Sequence, residues 1–233
     1  MKNILTPVAR VTSLVFHPLL IPTLGFWFLF NSNFYFSILP WNVKKYMLLV
    51  VFLSTCVLPA ISILILSLNP KFDLNMEKNT DRVLSLLISS ISYYLGYLLL
   101  KRLPVFPIYN ILLIGAVLVQ IALLPISMKW KISMHSAAIG GLVGGILVLA
   151  FRLQENPVFL LSLLILVAGL VATSRLILEK HTQSEVYAGF FTGFLILTLV
   201  IALSDFAFRD HLGQPVSFQQ CRCSWFLSTK CFV

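Results

Sequence analysis

The sequence is short of charge, and of negative charge above all. Only 8 of its 233 residues are aspartate or glutamate, and charged residues of both signs reach 11%. A water-soluble domain of this length needs a charged surface, so that class is excluded. Strict alternation of apolar and polar residues is also missing. Stretches such as VLSLLISSISYYLGYLLL have no period of two, which excludes a transmembrane β-barrel. The 17 lysines and arginines give a formal net charge of +9 but form no continuous basic face. They sit in short loops, which argues against nucleic acid as a partner and for topology setting and contact with anionic membrane lipids. Cysteine is sparse: Cys56 lies inside an apolar run, and Cys221, Cys223 and Cys231 fall near the C-terminus. A C-x-C pair with no histidine nearby is a weak metal signal. There is no repeat at a fixed period and no low-complexity linker.

What is present is apolar. Hydrophobic residues make up 59% of the chain and fall into runs near the roughly 20 residues that span a bilayer as a helix. The fold class predicted is all-α, a polytopic transmembrane helix bundle of about seven spans. They fall near 13–36, 46–68, 83–100, 107–126, 134–151, 157–178 and 186–204. Residues 1–204 form one domain, and 205–233 form a more polar tail to which the sequence assigns no structure. The N-terminal stretch MKNILTPVARVTSLVFHPLLIP has positive residues before its apolar run but no small-x-small cleavage site. It is therefore expected to begin a first span, not a cleaved signal. Pro18, Pro22 and Pro59 fall within spans and are expected to kink them. Gly140, Gly141, Gly144 and Gly145 form overlapping G-x-x-x-G pairs, and Gly189 and Gly193 form another. Small residues four apart let helices approach closely in lipid, within the bundle or across a homodimer seam.

The polar residues are unevenly placed. The loops NPKFDLNMEKNTDRV, SMKWKISMH and SRLILEKHTQSE follow alternate spans, so all three lie on one side of the membrane. This can bring Lys78, Arg82, Lys131, Ser133, His135, Arg175, His181 and Glu185 to one surface. If the segment around 181 is helical, His181 and Glu185 share a face, and so does Ser174. The carboxylate then fixes the tautomer of His181 and leaves its second nitrogen free as nucleophile or base. Arg175 offers a planar fork for phosphate oxygens. Ser133 is a candidate cap for the fifth span, which puts His135 at a helix N-terminus, where anions bind. Two histidines among several cations suit phosphoryl transfer. His17 and His211 are read as structural.

S-R-x5-H-x3-E at 174–185 resembles a signature of the type 2 phosphatidic acid phosphatase family, S-R-x5-H-x3-D, with glutamate for aspartate. Ile132-Ser-Met-His135 resembles a second signature, P-S-G-H. A third, K-x6-R-P, is partly present: Arg82 fits its arginine, while Asn75 and Val83 stand at the lysine and proline positions, with Lys78 nearby. The similarity covers roughly residues 70–200. It implies a phosphatase in which His181 attacks phosphorus to form a phosphohistidine, Glu185 orients it and His135 protonates the leaving oxygen. Arg82, Ser133, Arg175 and Lys78 would bind the phosphate of a lipid phosphate or lipid pyrophosphate. The family uses no metal or other cofactor, and the three loops hold no carboxylate cluster suited to magnesium. The departures at Asn75, Val83 and Met134 leave a non-catalytic lipid-phosphate binder as the alternative, beside a small transporter. Ionisable groups gathered at one face argue against the transporter. With the candidate site cations set aside, five cations on the N-terminal side face eight on the other. That count favours an active site on the outer face of a membrane, taken as a bacterial inner (plasma) membrane.

Overall fold

The computed structural model describes residues 2–31, 39–68, 79–103, 107–153 and 156–204. The expectations for Asn75, Lys78, His211 and the cysteine-bearing tail fall outside these residues. Every regular element described is helical, running from α1 (Lys2–Val15) and α2 (Ile21–Asn31) to α9 (Gln183–Leu203). Six helical segments are long and apolar enough to cross a membrane: Trp41–Ser67, Asn79–Lys101 (α5), Pro107–Lys129 (α6), Met134–Leu153 (α7), Val158–Ile177 (α8) and Gln183–Leu203. The protein is thus a multi-pass helical bundle.

The expected first span, 13–36, is not one helix. The chain breaks after Val15 and resumes at Ile21. Pro18 disfavours a helical His17, and neither Pro18 nor Pro22 has an N–H to give. The His17 carbonyl closes the turn by accepting from Leu20 N–H at 2.8 Å and Ile21 N–H at 3.2 Å. The 11 residues of α2 then reach only ~16 Å at 1.5 Å per residue. Pro59 acts differently. The segment Trp41–Ser67 stays continuous, but α3 (Trp41–Phe52) passes into α4 (Leu58–Ser67) through a π-helical turn at Leu53–Val57. A wide turn beside a proline absorbs its missing donor and ring bulk without breaking the helix.

Burial divides the bundle into centre and rim. In the apolar window of α7, 61% is buried, against 17% for α8. Large apolar side chains such as Leu64, Phe151, Phe159 and Leu166 point outward, a surface suited to acyl chains and not to water. The glycine motifs expected to pack tightly face each other. A Cβ on Gly193 would overlap the carbonyl of Ala137, and one on Gly140 would overlap that of Phe190. The backbones of α7 and α9 therefore touch, and these glycines are used within the chain.

Candidate active site

Three local devices bring the polar groups together at one end of α5, α7, α8 and α9. The first is the start of α7. Ser133 precedes its first residue, and its Oγ accepts from Ser136 N–H at 3.4 Å and Ser136 Oγ–H at 3.1 Å. The capping role expected of Ser133 is met. Its backbone N–H donates to the Glu185 carbonyl at 3.2 Å, which ties the α6–α7 loop to the first turn of α9. His135 stands in the first turn of α7.

The second device ends α8. Lys180 N–H donates to the Arg175 carbonyl at 3.3 Å and Glu179 N–H to that of Leu176 at 3.0 Å, a Schellman motif. Glu179 takes the left-handed conformation, φ 52°, where glycine is usual. A side chain there costs about 1–2 kcal/mol. This turn swings the chain out of the helix before His181. Ser174 therefore does not align with His181 seven residues later on one helix, as expected; it is buried and its hydroxyl donates to Leu170 O at 2.7 Å.

The third device starts α9. Thr182 is the N-cap, and its N–H donates to Glu185 Oε2 at 3.1 Å, the carboxylate half of a capping box. The same oxygen lies 3.1 Å from His181 Nδ1. The expected His181–Glu185 contact forms, though through the cap and not along a helical face, since His181 precedes the helix. His181 Nδ1 also lies 3.0 Å from the Lys131 carbonyl. A carbonyl can only accept, so Nδ1 carries the proton and Nε2 keeps its lone pair. Burial pulls the His181 pKa below the usual imidazole value, and the Arg175 charge adds to this. Glu185 and the Lys131 carbonyl oppose it in part. The net balance favours the neutral ring.

These groups open onto a cavity of about 260 Å³. Arg82, Lys131, His135, Arg175 and His181 line it, while Glu185 stands behind His181. Among the described residues no carboxylate lines it. Arg82 is 5% exposed; one of its terminal nitrogens donates to Asn79 Oδ1, but Nε and Nη1 are buried with no partner among the described residues. Arg175 Nε is likewise unpartnered. Buried guanidinium groups beside a cavity lined by further cations favour an anion there. Away from this end the lining turns apolar, through Leu113, Leu142, Ile146 and Leu197 to Leu149. Leu149 lies fourteen residues beyond His135, ~21 Å along α7.

Among the residues expected at the site, Arg82, Lys131, His135, Arg175, His181 and Glu185 converge. Ser133 is 0% exposed and is not part of the cavity lining, so its hydroxyl serves the helix cap instead of facing a bound phosphate. Lys78 lies outside the described residues. Lys180, Ser13 and His17 were not anticipated. Lys180 and His17 line the cavity, and Ser13 Oγ accepts from Arg175 Nη1 at 2.7 Å. A histidine in an apolar run, set before a proline, was the one available signal for His17. Ser13 had none.

Comparison with known proteins fits this geometry. The family model of the PAP2 superfamily matches residues 83–209, more than half of the chain. The search of curated proteins and the search of solved structures found no match.

Proposed function

The chain belongs to the PAP2 superfamily, whose membership together with six span-length helices supports a membrane phosphatase, and we propose that it hydrolyses a lipid phosphate or lipid pyrophosphate through a phosphohistidine without a metal. The observation that carries this reading is the His181 arrangement. Its Nδ1 is held by Glu185 and the Lys131 carbonyl, and it borders a cavity lined by Arg82 and Arg175.

In the first step His181 Nε2 attacks phosphorus. The bond from phosphorus to the leaving oxygen breaks, the electron pair stays on that oxygen, and His135 supplies its proton. Arg82 and Arg175 hold the non-bridging oxygens as charge shifts among them. In the second step water attacks phosphorus and gives a proton to His135. The P–N bond breaks and its pair returns to Nε2, releasing inorganic phosphate. Glu185 stabilises the imidazolium character that develops on His181. The apolar depth of the cavity supports a substrate whose chain stays in the bilayer while its phosphate meets the cations. The cation count supports a site on the outer face.

The test is phosphate release by the detergent-purified protein from a panel of lipid phosphates and pyrophosphates, with a chelator present. Chelator-resistant release is expected, falling by roughly 10³-fold or more in His181→Ala, as for loss of a nucleophile. Absence of release on every lipid, from a protein with an intact thermal transition, would overturn the reading in favour of a non-catalytic phosphate binder.

A further inference from the structure

The proposed chemistry draws on α5, α7, α8 and α9. It leaves unexplained two polar side chains of the α1–α2 elbow that reach the same place. Ser13 is 8% exposed, and its Oγ lies 2.7 Å from Arg175 Nη1 and 3.4 Å from His135 Nε2. One hydroxyl thus links a phosphate-binding guanidinium to the proton donor. His17 sets its ring edge-on to that of His135, with centroids 5.2 Å apart and planes at 81°. Its Nδ1 accepts from Leu19 N–H at 3.4 Å, so its own proton is on Nε2. His135 is therefore held by a hydroxyl at Nε2 and by a ring packed against its own. Both residues precede the stretch matched by the family. The break that brings them there is costly, since irregular backbone within a membrane protein must be buried or line a cavity. His17 and Pro18 line this one.

We propose that Ser13 and His17 are positioning residues for His135, holding its ring beside Arg175 at the cavity, where the leaving oxygen of the substrate would meet it. The inference rests on the phosphatase reading. In that reaction the leaving oxygen needs the His135 proton only if it departs as a poor leaving group. An alkoxide needs it. A nitrophenolate carries its charge without it.

The experiment compares an alkyl phosphate with a nitrophenyl phosphate bearing a chain of the same length, in the same detergent micelles. Wild type, Ser13→Ala and His17→Ala are assayed on both. The expected result is a kcat on the alkyl phosphate lower by roughly ten- to a hundredfold in each variant, part of what a general acid contributes. Turnover of the nitrophenyl phosphate falls less than that of the alkyl phosphate in both variants, because only the alkyl leaving group needs the proton, and an unchanged thermal midpoint in detergent reports a folded protein. Parallel loss on both substrates would mean a structural role and would overturn the inference, as would no loss on either. If wild type releases phosphate from neither substrate, the phosphatase reading falls and this inference with it. If wild type is active and the variants show no selectivity, the inference alone falls.

Discussion

Two walls of the same cavity are built by opposite means. On one side α7 and α9 run in backbone contact, where a Cβ on Gly193 would overlap the Ala137 carbonyl and one on Gly189 would lie 2.5 Å from that of Ser133. On the other side the α1–α2 elbow reaches the site through two side chains, Ser13 and His17. The glycine seam sets the spacing between His135, on α7, and His181, held to the first turn of α9. A backbone contact has no rotamer to adjust, so this spacing is fixed by the fold. Ser13 and His17 of the elbow meet His135 and Arg175, so the elbow acts first on those two groups. In the proposed mechanism His135 and His181 thus ride on the rigid wall, and the two side chains proposed to position His135 ride on the other.

The largest effect is expected from thickening the seam. Gly193→Ala puts a methyl group against a backbone carbonyl that cannot swing away, so the helices must part. Overpacking of this kind costs about 1–3 kcal/mol. A misplacement near 1 Å at the site costs on the order of 10²-fold in rate. The expected outcome is a lower thermal midpoint in detergent together with a fall in phosphate release on both alkyl and nitrophenyl substrates. An unchanged midpoint and rate would show that the seam does not set the geometry.

Glu185→Gln changes the hydrogen-bond partner of His181 without parting the helices. Burial and Arg175 depress the His181 pKa from 6.5, while Glu185 raises it against them. Removing the carboxylate charge therefore lowers it further. In the proposed mechanism His181 must be neutral to attack, so the acid limb of kcat/KM is expected to move to lower pH in Glu185→Gln. The maximal rate drops by roughly tenfold as imidazolium stabilisation is lost. The Lys131 carbonyl still holds the tautomer, which limits the loss. The pH–rate profile on one substrate reads this directly, because substrate ionisation is common to both proteins. Movement of the limb to higher pH would contradict the assigned cause. Elbow variants should leave this limb where it is.

The difference between the walls also explains what the sequence made legible. The seam was readable because G-x-x-x-G spacing is a local pattern with a single packing consequence. The His181–Glu185 pairing was readable from its spacing of four, although the reason differs: His181 lies outside the helix and the contact runs through the Thr182 cap. The end of α8 was not readable, since the left-handed position is held by Glu179 and carries no glycine to mark it. The elbow was hardest. A proline in an apolar run kinks a helix or breaks it according to which neighbours satisfy the freed backbone groups, and that is a tertiary fact. Pro59 took one course and Pro18 the other. The role of Ser133 split in the same way: its capping was local and legible, while its distance from the cavity lining depended on how α7 sits against α9.

The smallest effect is expected on the outer face of α8, and it decides whether the seam glycines are special or merely glycines. Gly169 has nothing within 4 Å of where a Cβ would stand. Gly169→Ala makes the same chemical change as Gly193→Ala with no carbonyl to meet. Alanine is also the better helix former, by up to about 1 kcal/mol in water. The thermal midpoint should stay level or rise slightly, with phosphate release unchanged. A fall as large as that of Gly193→Ala would mean that small size matters at an outward-facing position. The surface around Gly169 would then be packed against a second copy of the chain, and a cross-linking measurement in native membranes would detect that copy.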